Sequence, residues 1–292
     1  MKEIIESIFN NHTKKLLILP VALIIISLVF IISIQATTGE IFQKDVSLSG
    51  GTTITVYSEN QIDIPKLENA LRESFDGVIV RALSEFGTDK TIGVVIETPT
   101  IDEKLLTEKI QESTGITLSE ENSSIEVVGS SLGDSFYQQM RKALIFAFVF
   151  MSIVVLITFR KIVPSLSIVL VALGDLLITI SILNLANVRV SSAGIAALLL
   201  LIGYSIDTDV LLTTRILKNK EETIMEGLIS SMKTGLTMTI TTLSALTVAY
   251  FVSTSLVLKQ MFIIVIIGLL VDIILTYMLN APMLILYAKK HR

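Results

Sequence analysis

Six long apolar stretches constrain this chain more than any other feature. They run over about Leu16–Ile34, Ala143–Phe159, Ile162–Leu185, Val190–Thr213, Leu236–Val252 and Gln260–Tyr287. A helix needs about 20 apolar residues to cross a hydrocarbon core roughly 30 Å thick. Each stretch therefore reads as a transmembrane helix. Composition agrees: 51% of residues are hydrophobic and 17% charged, against roughly 25% charged in a soluble domain. The first run is too long for a signal-peptide core, and Ala36-Thr37-Thr38-Gly39 only imitates a cleavage site. It is read as an uncleaved anchor.

The basic residues set an expected orientation. Lys2, Lys14 and Lys15 precede span one, Arg160 and Lys161 join spans two and three, and Arg215, Lys218, Lys220 and Lys233 lie between spans four and five. Lys289, Lys290 and Arg292 follow span six, whereas the opposite short loops hold only Arg189 and Lys259. Short loops rich in Lys and Arg stay on the cytoplasmic side. Both termini are thus expected in the cytoplasm, and residues 40–141 outside it. This divides the chain into 1–39 (N-terminus and first span), 40–141 (exterior domain) and 142–292 (a five-helix bundle with its C-terminal tail).

Within 40–141 the periodicity changes. Thr52–Tyr57, Gly77–Leu83, Lys90–Glu97 and Ser124–Gly129 read as strands, while Ile64–Phe75 and Thr100–Thr114 carry apolar residues at helical spacing. The order β-α-β-β-α-β is that of a ferredoxin-like α+β domain. The expected fold is therefore a polytopic α-helical membrane protein: six transmembrane helices, with that exterior domain between spans one and two. Gly50-Gly51 before the first strand is either a tight turn or a hinge.

Several chemistries are excluded. There is no cysteine, and the two histidines, His12 and His291, stand near opposite ends, so no thiolate, disulfide or His/Cys metal site is expected. The exterior domain carries no nucleophile motif, phosphate loop or catalytic carboxylate pair. No enzyme activity, cofactor, metal or nucleic-acid partner is expected.

The acids inside the spans carry the functional signal. Asp175 lies in span three, Asp207 and Asp209 in span four, and Asp272 in span six. At 1.5 Å per residue, Asp207 sits ~12 Å from Arg215, Asp175 ~18 Å from Val163, and Asp272 ~18 Å from Gln260. Ionisable residues at such depth are rare and mark ion pathways or bundle contacts. No span holds a Lys or Arg at that depth, and a carboxyl without a cation in a low dielectric tends to hold its proton. Asp207, Asp209 and Asp175 are the first proton-relay candidates. Asp272 follows, and with it Lys233, which either snorkels to the interface or approaches the acids. The alternative is that the acids are protonated packing residues hydrogen-bonded between helices. Asp207 and Asp209 are about 200° apart around a helix. Asp209 shares a face with Ser205 and Thr213, and Asp207 with Gly203 and Val210. Either one acid faces the bundle and the other an adjacent chain, or the helix is distorted there. Gly174 and Gly268 are expected to permit close helix packing.

The run Gly203-Tyr204-Ser205-Ile206-Asp207-Thr208-Asp209, followed by Arg215-Ile216, resembles the fourth-span signature of the SecF branch of the SecD/SecF family of protein-export membrane subunits, within the resistance-nodulation-division superfamily. Gly50-Gly51-Thr52, Val128-Gly129 through Leu132-Gly133, and Asn280-Ala281-Pro282 are similar to further elements of that family. Bacterial members carry their acid at the position of Thr208. The Asp-Thr-Asp spacing here resembles archaeal members, and the bacterial span-five arginine has no match. The resemblance implies six helices with a large exterior loop, and an auxiliary role in export across the cell membrane. It implies as partners SecD, the Sec translocation channel, the exported polypeptide and membrane lipids, with coupling to the proton motive force. The alternative function is a small-molecule or lipid exporter built as an oligomer of half-transporters. A third is a passive scaffold.

Overall fold

The computed structural model describes residue 9 and residues 13–58, 62–84, 91–99, 102–119, 121–218, 223–253 and 255–291. Lys2, His12, Lys90, Thr100, Lys220 and Arg292 lie outside the described residues. Among the described residues, six helices are long and apolar enough to cross a membrane: Thr13–Thr38, Ser130–Phe159, Ile162–Leu185, Ser192–Leu217, Ile224–Val252 and Val257–His291. They are called spans one to six below. Span three packs against spans one, two, four and six, and span five leans on spans four and six. Apolar side chains such as Ile26, Val29, Phe146, Phe150 and Val154 cover the outside of the bundle, a surface suited to lipid and not to water.

Span boundaries shift where capping chemistry, not hydropathy, decides them. Span five begins twelve residues before Leu236, because Thr223 and Glu226 form a reciprocal capping box. Lys233 therefore lies inside the helix, on an exposed face. Span two begins at Ser130, within the stretch assigned to the exterior domain. Span six contains a π turn at Thr276–Asn280, closed by the Ala281 N–H on the Thr276 carbonyl. Pro282 supplies the cause: it has no N–H for the Met278 carbonyl and its ring presses on that carbonyl, and the wider turn just before it takes up the mismatch.

The soluble domain follows span one. In chain order it comprises α1 (Val46–Ser49), β1 (Gly51–Tyr57), α2 (Ile64–Arg72), β2 (Ile79–Ser84), β3 (Thr91–Thr98), α3 (Glu103–Thr114) and β4 (Ser123–Val128). The strands form one antiparallel sheet in the order β2-β3-β1-β4. Ile54 and Val56 stand directly opposite Ile96 and Val94 across β1 and β3, and all four bury against Leu67, Leu71, Leu106 and Ile110 of the two longer helices. Asp63 and Asp102 cap those helices, accepting from Lys66 N and Leu105 N. The acidic side chains sit where the first-turn N–H groups need acceptors.

Two glycine motifs far apart in sequence meet where this domain joins the bundle. Gly50 has φ +78°, and a Cβ on it would lie 2.5 Å from Ser130 Cα. A Cβ on Gly133 would lie 2.6 Å from Gly50 N. The start of span two thus crosses the turn ahead of β1 backbone against backbone, which only glycines permit. The segment after span one is also bound to the loop between spans three and four. Val190 N donates to Gln43 O at 2.7 Å, Asp45 N to Val190 O at 3.2 Å, and Asn184 Nδ2 to Ile41 O at 2.9 Å.

A methyl at Gly133 must displace backbone, whereas one at Gly129 meets nothing within 4 Å. Gly133→Ala is predicted to cost roughly 1–3 kcal/mol and Gly129→Ala to stay within about 0.5 kcal/mol. Thermal unfolding of the purified variants in detergent checks both.

Candidate functional site

The structure gathers Asp175, Asp209 and Asp272, from three different spans, into one buried cluster. Their exposures are 1%, 0% and 0%. Small residues let the helices close on it: a Cβ on Gly174 would meet Ile24 and Leu275 side chains at 2.8 Å, and one on Gly268 would lie 2.3 Å from Leu201 Cδ2. Ser205 Oγ is 2.5 Å from Asp175 Oδ2. Thr208 Oγ1 is 3.3 Å from Asp272 Oδ2. Thr276 Oγ1 stands between two acids, 3.1 Å from Asp209 Oδ1 and 3.2 Å from Asp272 Oδ1. Asn280 Nδ2 donates to Asp209 Oδ1 at 2.7 Å.

This geometry constrains the protons. A threonine hydroxyl has one hydrogen. Thr276 is placed to donate it to either of its two acid neighbours, one at a time. Among the described residues no Lys, Arg or His forms an ion pair with any of the three acids. Asp175 Oδ1, Asp209 Oδ2, Thr179 Oγ1 and Thr213 Oγ1 are buried without a hydrogen-bond partner. Thr179 and Thr213 stand one helical turn from Asp175 and Asp209, so the cluster has spare donor and acceptor capacity along both helices.

The remaining candidates lie elsewhere. Asp207 and Gly203 are exposed on the outer face of span four, and Lys233 is exposed on span five. Tyr204 Oη hydrogen-bonds Thr242 Oγ1 at 2.8 Å, and Arg215 donates to Ser230 Oγ. Both join span four to span five and leave the cluster to other residues. Thr276 is a functional-site residue that hydropathy and charge reading passes over, and Asn280 enters there only as part of a motif. The four-residue steps Asp272, Thr276, Asn280 are the signal that finds them, since they line one helix face.

A second polar region lies where the sheet faces the bundle. A cavity of about 650 Å³ there is lined by Asp45, Arg81, Glu97, Lys259 and Gln260, among others. Glu97 Oε2 lies 3.0 Å from Arg81 Nη2 and 3.7 Å from Arg189 Nη1. Burial lifts Glu97 above the usual carboxylate range, against the pull of the Arg81 charge. Arg189, one of the two basic residues in the short loops on this side of the bundle, thus has an acidic partner in the domain.

Six membrane-length helices among the described residues, with a small α/β domain on one side and three buried carboxyls between them, define a multi-pass membrane protein. Residues 108–290 match the family described as protein export membrane protein SecD/SecF, C-terminal. The chain is 34% identical over 290 residues to the protein-export membrane protein SecF of Pyrococcus furiosus, covering 99% of this chain and 96% of that one. It is 36% identical over 280 residues to SecF of Methanocaldococcus jannaschii, covering 94% and 95%. The fold is similar to that of SecDF from Thermus thermophilus, a translocon-associated membrane protein, with a TM-score of 0.73 at 18% identity. That match takes in 96% of this chain and 38% of the SecDF chain. The chain belongs to the SecD/SecF family of protein-export membrane proteins.

Proposed function

We propose that the chain is an auxiliary subunit of the Sec protein-export machinery whose buried carboxyl cluster exchanges protons and so drives helix rearrangement. The observation that carries the coupling is the Thr276 hydroxyl shared between Asp209 and Asp272. Adding or removing one proton reverses or breaks a bond in that chain, and the bonds join spans four and six. Repacking of those spans is passed to the soluble domain through the loop after span three and the Gly50–Gly133 crossing. The exported polypeptide is engaged on the domain side. A SecD-type six-helix partner packs on the outer face of span four, where Gly203 and Asp207 are uncovered. The cell membrane is the site of action, and lipid surrounds the rest of the bundle.

The orientation proposed has both termini in the cytoplasm. Lys14, Lys15, Arg160, Lys161, Lys218, Lys289 and Lys290 support it, as does the pairing of Arg189 with Glu97 on the other side. The chain has no cysteine, so single substitutions report topology cleanly. A membrane-impermeant thiol reagent added outside is expected to label Asn69→Cys and spare Lys218→Cys. The reverse pattern overturns the orientation.

Function is tested by pulse-chase export of a secreted protein. Slower release is expected in cells lacking the chain. Asp209→Asn, which fixes the neutral state, is expected to remove the part of export that responds to the proton gradient. If Asp207→Asn and Asp209→Asn, alone and together, leave export unchanged, the coupling reading fails.

A further inference from the structure

The seam between spans four and six runs from the carboxyl cluster to the end of the bundle nearest the soluble domain. Asp272 meets Thr208 and Thr276 meets Asp209 at the cluster. Further along, Gly268 packs on Leu201, and a Cβ on Gly194 would lie 3.0 Å from Ile264 Cδ1. Gln260 stands at the domain end of this seam, and both ends of its side-chain amide are used. Nε2 donates to Arg189 O. Oε1 accepts from Ser191 N at 3.2 Å and from Ser191 Oγ. Ser191 Oγ in turn accepts from Gly194 N at 3.1 Å, as the cap of span four. The short loop that Gln260 grips is also the one that reaches the soluble domain. Ser192 N donates to Ser47 Oγ at 3.0 Å, beside the bonds between Val190 and the segment after span one. Arg189 Nη1 lies 3.7 Å from Glu97 Oε2 of β3. The charged groups around this point are Arg81 and Glu97 from the sheet, Asp45 from the segment after span one, Arg189 from the loop and Lys259 from span six, with Glu126 on the cavity wall.

We propose that Gln260 is a positioning residue that ties the loop between spans three and four to span six, and so carries movement of the seam to the soluble domain through Arg189 and the Val190 backbone. The inference rests on the reading that proton exchange at the cluster moves spans four and six. An amide suits this task because it donates and accepts at once and carries no charge. A shift of span six along span four parts the amide from Arg189 O or from Ser191. The loop then changes its hold on Glu97 and on the segment ahead of β1. Removing the amide loosens the loop from span six while the bonds between the loop and the domain side remain.

Hydrogen exchange in liposomes holding the full-length chain with its co-purified partner tests this. It is read at the Val190 and Asp45 amides, which join the loop to the segment after span one. With Gln260→Ala, exchange at both is expected to rise about tenfold, the size of one lost hydrogen bond, while amides around Asp272 keep wild-type protection. Gln260→Glu separates the hydrogen bonds from the packing. Protonated, the new carboxyl donates to Arg189 O and accepts from Ser191 as the amide does; ionised, it only accepts and repels the Arg189 carbonyl. Protection is taken as a ratio to wild type at each pH, so that titration of Glu97 and Asp45 is common to both. That ratio is expected to be near wild type at the low end of a scan from about pH 4 to 8, and to fall toward the high end. Wild-type protection in a folded Gln260→Ala protein overturns the inference, and so does a Gln260→Glu ratio that stays flat across the scan. Gln260→Ala is also expected to remove most of the gradient-driven part of export. If Asp209→Asn abolishes that part while Gln260→Ala leaves it whole, the coupling stands and this inference falls. If Asp209→Asn leaves export unchanged, the coupling itself falls, and this inference with it.

Discussion

The hydroxyl of Thr276, held between the carboxyls of Asp209 and Asp272, is the contact on which the membrane part of this protein turns. Placing an acid at the centre of a bilayer costs about 2.5–3.5 kcal/mol on insertion scales, and three stand together here with no ion-paired cation among the described residues. The cost is offset only if each acid finds partners on other helices. Ser205, Thr208, Thr276 and Asn280 supply them, and their hydrogen bonds join spans three, four and six.

The second requirement is a stiff connection from the bundle to the soluble domain. The segment after span one is hydrogen-bonded to the loop between spans three and four, and Gly50 and Gly133 place the turn ahead of β1 directly on span two. Glu97, between Arg81 and Arg189, adds an ionic contact across the same junction. A shift of spans three and four therefore acts on the domain at several points at once.

Much of this was legible in the chain. Hydropathy reports the six spans, because lipid leaves a helix few alternatives, and Ile162–Leu185 appears with those same ends. Alternating and helical periodicity report the β-α-β-β-α-β order within one or two residues for most elements. Helix starts set by side-chain caps, such as Thr223, fall outside what hydropathy measures. The spacing of Asp207 and Asp209 shows that one must turn away from the other, but which one faces inward depends on how spans three and six pack. The Gly-Gly and Val-Gly motifs are visible as sequence, yet their contact is a long-range event that no local pattern encodes. Asn280 and Thr276 were obscured for a different reason: neutral polar residues hardly lower hydropathy, and the acid both of them bond lies on another span.

The central claim is that protons, not cations, hold the buried carboxyls together. Infrared difference spectroscopy of the purified protein in lipid tests it most directly, through the C=O stretch of a protonated carboxyl at neutral pH. The account predicts such a band in the wild-type protein, weakened when Asp209 and Asp272 are both replaced by Asn. A spectrum with no protonated-carboxyl band, or a band indifferent to those replacements, would contradict it.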